Sequence, residues 1–316
     1  MKNYHSIGKV IFAILAVCCF LWIIFQSREF FTKELFTSKI VSVEVLLCLL
    51  LMPLNWSLEA YKIYSLMYGE VSFLQSIKAV LKGLSFSFFT PFGLGSYIGR
   101  SIQQRINQSS IIVQISFISS IMQTAISILF GIVALKYLSQ SISNSWIQQM
   151  IQYGFFTIVV LCLISIILYF YFEQFQIYIL DFIRKFWHVQ SIRFAQFSLF
   201  DLSKLFIICC IRYAVYVFQF VVLLNLFEYF DFISMLSIAC IIYCIQSLIY
   251  LPSTVNAVAR GALLAFIFSL YMMPESDAYR VSWLLFWINI AIPTIIGFIY
   301  LILDSKENLY EKISVR

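Results

Sequence analysis

Arg100, Arg212 and Arg260 each stand inside or beside a run of apolar residues, and no acid lies close to any of them in the chain. Lys78 and Lys82 are spaced four apart and so share one helix face. A cation at mid-membrane costs about 2.5–3.5 kcal/mol on insertion scales. Several such cations with few acidic partners point to a cavity that expects an anion. Arginine suits phosphate because its planar fork matches two oxygens. The acids at depth are Glu44 and Glu59, and Glu59 has Lys62 one turn away. Each cation also has a plainer reading. Lys78 and Lys82 can snorkel to the cytoplasmic surface, and Arg212 can bond to carbonyls or pair with Glu59.

Other chemistries find less support. The five aspartates, Asp181, Asp201, Asp231, Asp277 and Asp304, lie in or next to loops, and no two form an Asp-x-Asp or Asp-Asp pair for metal-dependent glycosyl or phosphoryl transfer. His5 and His188 are far apart. Cys240 and Cys244 share a helix face, but no nearby His or carboxylate completes a metal site, so the cysteines read as small packing residues. No catalytic constellation, metal or cofactor is expected. The net charge of +6 comes with no basic run or recognition motif, so nucleic acid is not an expected partner. A stripe of Ser116, Ser120, Gln123 and Ser127 at helical spacing reads as glue between helices.

The elements that must position these residues are membrane helices. Hydrophobic residues make up 62% of the chain, charged residues only 11%, and mean hydropathy is +0.93. A soluble domain carries about 25% charged residues, so this chain has too little polar surface for water. The fold expected is all-α, a polytopic integral membrane bundle. The apolar segments are 10–25, 40–61, 73–90, 109–136, 152–172, 204–227, 232–250, 254–272 and 281–303. No small-residue cleavage site follows Val10 to Phe25, which reads as a retained helix. The whole chain reads as one membrane domain, with halves 1–172 and 204–303 joined by the loop 173–203.

Charge threads the segments. Arg184, Lys185 and Arg193 place the loop 173–203 in the cytoplasm, and Lys306, Lys312 and Arg316 place the tail there. Glu228 and Asp231, without a cation, place 228–231 outside. The N-terminus also falls inside if 73–106 is a hairpin entering from the cytoplasm and 232–272 one entering from outside. Pro91, Gly93 and Gly95 then mark one tip, and Pro252, Ser253 and Asn256 the other. Broken backbone is tolerated in a membrane only where protein or a water-filled cavity surrounds it. Oppositely inserted broken hairpins are a recurring transporter plan, often as an inverted repeat. The alternative is two ordinary helices kinked at proline. The half-helices after Pro91 and Pro252 would aim their positive ends inward.

Four stretches, "LNWSLEAYKIYSL" (54–66), "TPFGLGSYIGR" (90–100), "IRYAVYVFQF" (211–220) and "PSTVNAVARGA" (252–262), resemble segments of the lysylphosphatidylglycerol synthase transmembrane-region family, also called flippase-like, in its Bacteroidetes form. They occur in the family's order and span most of the chain. The resemblance implies about eight helical elements with re-entrant hairpins, and the handling of a lipid. In the first hairpin Pro91, Gly95, Tyr97, Gly99 and Arg100 match the family pattern, while Ser96 replaces its acid. In the second, Pro252, Ser253, Arg260 and Gly261 match and the acid is missing. The bifunctional members carry an aminoacyl-transferase domain for which this chain has no room after Arg316.

With the resemblance, the cations as a set favour an anionic headgroup site made from Arg100, Arg212, Arg260, Lys78 and Lys82, with Glu59 as the intramembrane acid. The function expected is binding and flipping of an anionic lipid or lipid-linked glycan across a bacterial inner membrane, with both termini inside. The alternatives are a membrane enzyme of glycolipid or envelope synthesis, or an accessory subunit of a neighbouring glycolipid-synthesis enzyme.

Overall fold

The computed structural model describes residues 42–90, 94–101, 106–141, 195, 197–249, 251 and 253–314. The expected spans 10–25 and 152–172, most of the loop 173–203, and the tip residues Pro91, Gly93 and Pro252 lie outside these. The chain divides into two compact units, Met1–Leu46 and Leu47–Arg316, and Glu59, Lys62, Arg100 and Arg212 all belong to the second.

The helices are α1 (Val43–Leu66), α2 (Phe73–Phe89), α3 (Leu94–Ser101), α4 (Ile106–Ser141), α5 (Leu199–Asn225), α6 (Phe232–Leu248), α7 (Ser253–Leu270) and α8 (Glu275–Phe286). The last continues through a π-helical turn, Trp287–Ala291, into α9 (Ile292–Ser314). No strand occurs among the described residues. Among the described residues, four helices are long and apolar enough to cross a membrane: Val43–Leu66, Gln108–Leu138, Leu199–Asn225 and Glu275–Asp304. The protein is an all-helical membrane bundle, as composition predicts. Helix ends run past the apolar segments, most clearly in α4 and at Glu275, because hydropathy marks what sits in hydrocarbon and backbone hydrogen bonding continues beyond it.

Local signals explain where helices begin. Ser72 and Gln75 form a reciprocal capping box at α2, with Ser72 N–H donating to Gln75 Oε1 at 2.9 Å and Gln75 N–H to Ser72 Oγ at 3.3 Å. Ser198 and Asp201 do the same at α5. At α6, Asp231 accepts from the Ile233 and Ser234 amides.

Polarity is arranged inside out. Leu50, Leu54, Val133, Ile207, Ile211, Ile299 and Leu303 are exposed, while Asn55, Lys62, Ser76, Ser85, Gln219 and Ser282 are buried. Lipid tails are as apolar as leucine, so the exposed faces lose nothing there, and polar groups gain by meeting one another inside.

Helix α2 packs on α3 and α9, α4 on α5 and α6, and α7 on α8. The first of these contacts depends on missing side chains. A Cβ on Gly99 would lie 2.6 Å from the Lys82 carbonyl oxygen, and one on Gly83 2.7 Å from Arg100 Cγ. A Cβ on Gly95 would run into the Phe86 carbonyl and the Thr90 hydroxyl. The opposed pairs 86/95 and 83/99 run in contrary directions, so α2 and α3 form a tight antiparallel hairpin. At its turn Thr90 Oγ1 accepts from Gly95 N–H at 2.7 Å and donates to the Phe86 carbonyl at 3.1 Å. Near the second turn Gln246 Nε2 donates to both oxygens of Asn256, to Oδ1 at 2.7 Å and to the carbonyl at 3.1 Å.

Candidate functional site: a buried carboxylate among three cations

Glu59 lies on α1, one helical turn before Lys62. Arg100 ends the short α3, and Arg212 is midway along α5, about 20 Å from Leu199 at 1.5 Å per residue. The bundle brings all four side chains together. Arg100 Nη1 donates to Glu59 Oε1 at 2.8 Å. Glu59 Oε2 is 2.5 Å from Lys62 Nζ and 3.2 Å from Arg212 Nη1. Lys62 is 1% exposed, Glu59 5% and Arg100 8%.

Neutral groups surround the cluster and turn their negative ends toward it. Arg212 donates through Nε to Asn55 Oδ1 at 2.9 Å, through Nη1 to Gln123 Oε1 at 2.6 Å and through Nη2 to the Tyr216 hydroxyl at 3.1 Å. Its guanidinium also lies 4.9 Å from the centre of the Tyr216 ring. Arg100 Nη1 donates to Ser116 Oγ at 3.1 Å, and Lys62 Nζ to Ser119 Oγ. Every nitrogen of Arg212 is used.

Arg100 differs. Its Nε is buried without a partner, and Nη2 makes no hydrogen bond among the described residues. These two nitrogens form the side edge of the guanidinium, the edge that grips two oxygens at once. Nδ2 of Asn55 is likewise buried and unpartnered. The cluster therefore holds three cations, one carboxylate and unused donors. Removing an ion from water costs several kcal/mol. A unit pair about 4 Å apart recovers about 4 kcal/mol at an effective dielectric of about 20. One carboxylate cannot compensate three cations at that rate, and the oriented dipoles supply only part of the remainder.

The other residues expected in the site go elsewhere. Lys82 pairs with Asp304 of α9, and Lys78 lies 5.5 Å from the centre of the Tyr300 ring. Both fasten α2 to α9. Arg260, 6% exposed, donates from Nε to Ser282 Oγ at 3.1 Å and from Nη2 to the Ser282 carbonyl at 2.8 Å. It ties α7 to α8 and makes no ion pair among the described residues. Of the three arginines, then, the fold joins Arg100 and Arg212, and not Arg260. Gly95 is a packing residue of the first hairpin. Asn256 holds Gln246, and Ser253 opens α7.

Sequence reasoning noted Lys62 only as a neighbour of Glu59, outside the anion-binding set, and left out Asn55, Ser119 and Tyr216. Their signals are modest: Glu59 and Lys62 at i, i+3; Asn55 and Lys62 one heptad apart; Arg212 and Tyr216 at i, i+4. The serine and glutamine stripe of α4 contributes Ser116 and Gln123 to the cluster, and Ser120 to a bond from Tyr97 at 3.2 Å. No group of three His, Cys, Asp or Glu that could hold a metal ion occurs among the described residues. No family model matches the chain, and no curated protein matches it.

Proposed function

We propose that the protein binds the anionic headgroup of a membrane lipid at the Glu59 cluster and carries that headgroup across the membrane. One observation carries the reading: two buried cations, Lys62 and Arg100, and the part-buried Arg212 share a single carboxylate, while Nε of Arg100 is buried without a partner. Phosphate oxygens would fill that edge and supply the missing negative charge. Arg212 stands midway along the apolar helix α5, a depth that suits passage across a membrane. The four stretches that resemble the flippase-like family include Glu59, Arg100 and Arg212.

The test is lipid binding and lipid movement by well-folded, monodisperse variants in liposomes. Arg100→Met is expected to weaken binding about ten-fold or more, and Arg100→Lys to recover little of it, because a point charge does not replace a fork. If Arg100→Met binds and moves lipid like the parent, the anion site is refuted. Product formation in place of movement would make the protein an enzyme, and neither would make it an accessory subunit.

The proposed threading places the protein in an inner membrane with both termini in the cytoplasm. Glu70 and Glu275 are exposed and lie at helix ends. In a background with the native cysteines replaced, Glu70→Cys is expected to react only with reagent on the cytoplasmic side and Glu275→Cys only with reagent outside. Labelling of both from one side would overturn the threading.

A further inference from the structure

Resting on the reading of the Glu59 cluster as an anion site, we infer that the site is built for a dianionic phosphate, the monoester or diphosphate end of a molecule, and discriminates against the monoanionic diester of ordinary phospholipids.

The inference follows from counting charge. Lys62, Arg100 and Arg212 bring three positive charges and Glu59 one negative, so the cluster carries a net charge of two. No other described acid comes to its aid. Asp304 pairs with Lys82, Asp277 pairs with Arg280, and Asp201 caps α5. A phosphodiester or a carboxylate brings one negative charge and leaves one cation uncompensated in a site screened from water. An uncompensated charge at membrane depth is costly. A phosphomonoester brings two and closes the balance with Glu59 still in place.

The spare donors agree with a compact group. Arg212 and Lys62 already donate to Asn55, Gln123, Tyr216 and Ser119, and Lys62 is ion-paired with Glu59. What remains is Nε of Arg100 and the amide nitrogen of Asn55, both buried without a partner, and beside Nε the Nη2 of the same guanidinium. A terminal phosphate offers three oxygens to these donors. In a diester two of the four oxygens are esterified, and these are poor acceptors. Glu59 then acts as a specificity residue. It lowers the site from three charges to two, and so sets which phosphate fits.

The experiment uses the full chain in discs of zwitterionic phosphatidylcholine doped with phosphatidic acid, a monoester, or phosphatidylglycerol, a diester. The pH is held at about 8, well above the second phosphate pKa of about 6. Phosphatidic acid is expected to bind at least about ten-fold more tightly. Lys62→Met removes one charge and is expected to erase most of that preference while diester binding persists. Where Lys62→Met does not fold, Lys62→Gln keeps a donor for Ser119, and where neither folds the parent comparison decides alone. A third arm titrates inorganic phosphate against bound phosphatidic acid. Displacement at similar concentrations assigns the site to free phosphate, and no displacement assigns it to the lipid. Equal binding of the two lipids by the parent, or an unchanged preference in Lys62→Met, overturns the charge match but leaves an anion site. Binding of none of the three probes overturns the anion site itself.

Discussion

Glu59→Gln should be the most damaging single substitution in the protein when no anion is supplied. The amide keeps the shape of the side chain and removes its charge. Lys62, Arg100 and Arg212 then face one another with only neutral acceptors between them. Breaking a buried ion pair by removing one partner costs about 3–5 kcal/mol, because the remaining charge stays buried and unpaired. Here three charges are left. The expected result is a large drop in the yield of monodisperse protein and in thermal stability in neutral detergent. The same reasoning predicts rescue. Phosphatidic acid should restore much of the lost stability, since a ligand that binds only the folded state stabilises it by mass action. The parent, which keeps its own carboxylate, should gain less. Heat-induced aggregation followed with and without the lipid measures both. A Glu59→Gln protein as stable as the parent in neutral detergent would mean that the three cations are compensated in some other way.

Gly95→Leu should have the second largest effect, through geometry alone. Even a Cβ at this position meets the Phe86 carbonyl and the Thr90 hydroxyl, and Gly95 N–H already donates to that hydroxyl. Overpacking a filled contact costs about 1–3 kcal/mol when side chains can move aside. A backbone carbonyl cannot, so α3 must swing away from α2. Arg100 is on that short helix and would leave Glu59 with it. Membrane insertion should survive, because the long apolar helices are untouched. Lipid binding should fall about ten-fold or more, and Gly95→Ala should show a smaller loss in the same direction. A monodisperse Gly95→Leu protein that binds lipid normally would show that the hairpin tolerates splaying.

The fold class was legible because it rests on an average. Too few charged residues and long apolar runs suffice to require a helical bundle in lipid. The break between α2 and α3 was signalled by Pro91, Gly93 and Gly95, three helix-disfavouring residues within five positions, with a proline-kinked helix as the alternative that the antiparallel packing of α2 on α3 rules out. The site was legible only in part. Arg100 and Arg212 stand out against apolar neighbours, and so does Glu59. That they meet depends on how α1, α3 and α5 are placed around α4, and single-sequence spacing carries no signal for contacts between residues 41 to 153 positions apart. Lys82 shows the same limit in reverse. Its partner Asp304 lies 222 residues away, so from the chain alone it looked like an unpaired cation. Lys62 was hidden by its own simplicity, since a lysine one turn from a glutamate is an ordinary surface pair in most helices.

Helix α1 is fastened to the bundle in an unusual way. Its backbone runs less close to its neighbours than those of the other paired helices among the described residues. Between residues 48 and 62 it is held by polar clasps: Gln219 to the Cys48 carbonyl at 3.0 Å, Arg212 to Asn55, Arg100 to Glu59, and Lys62 to Ser119. Interlocked side chains resist separation along a whole face, whereas clasps let go one at a time. An anion that captures Arg100 and draws on Arg212 would loosen the middle two together. The end clasps at Cys48 and Lys62 would then serve as pivots, and α1 could bow outward between them like a stave, uncovering only the small apolar contact made by Met52 and Ala60.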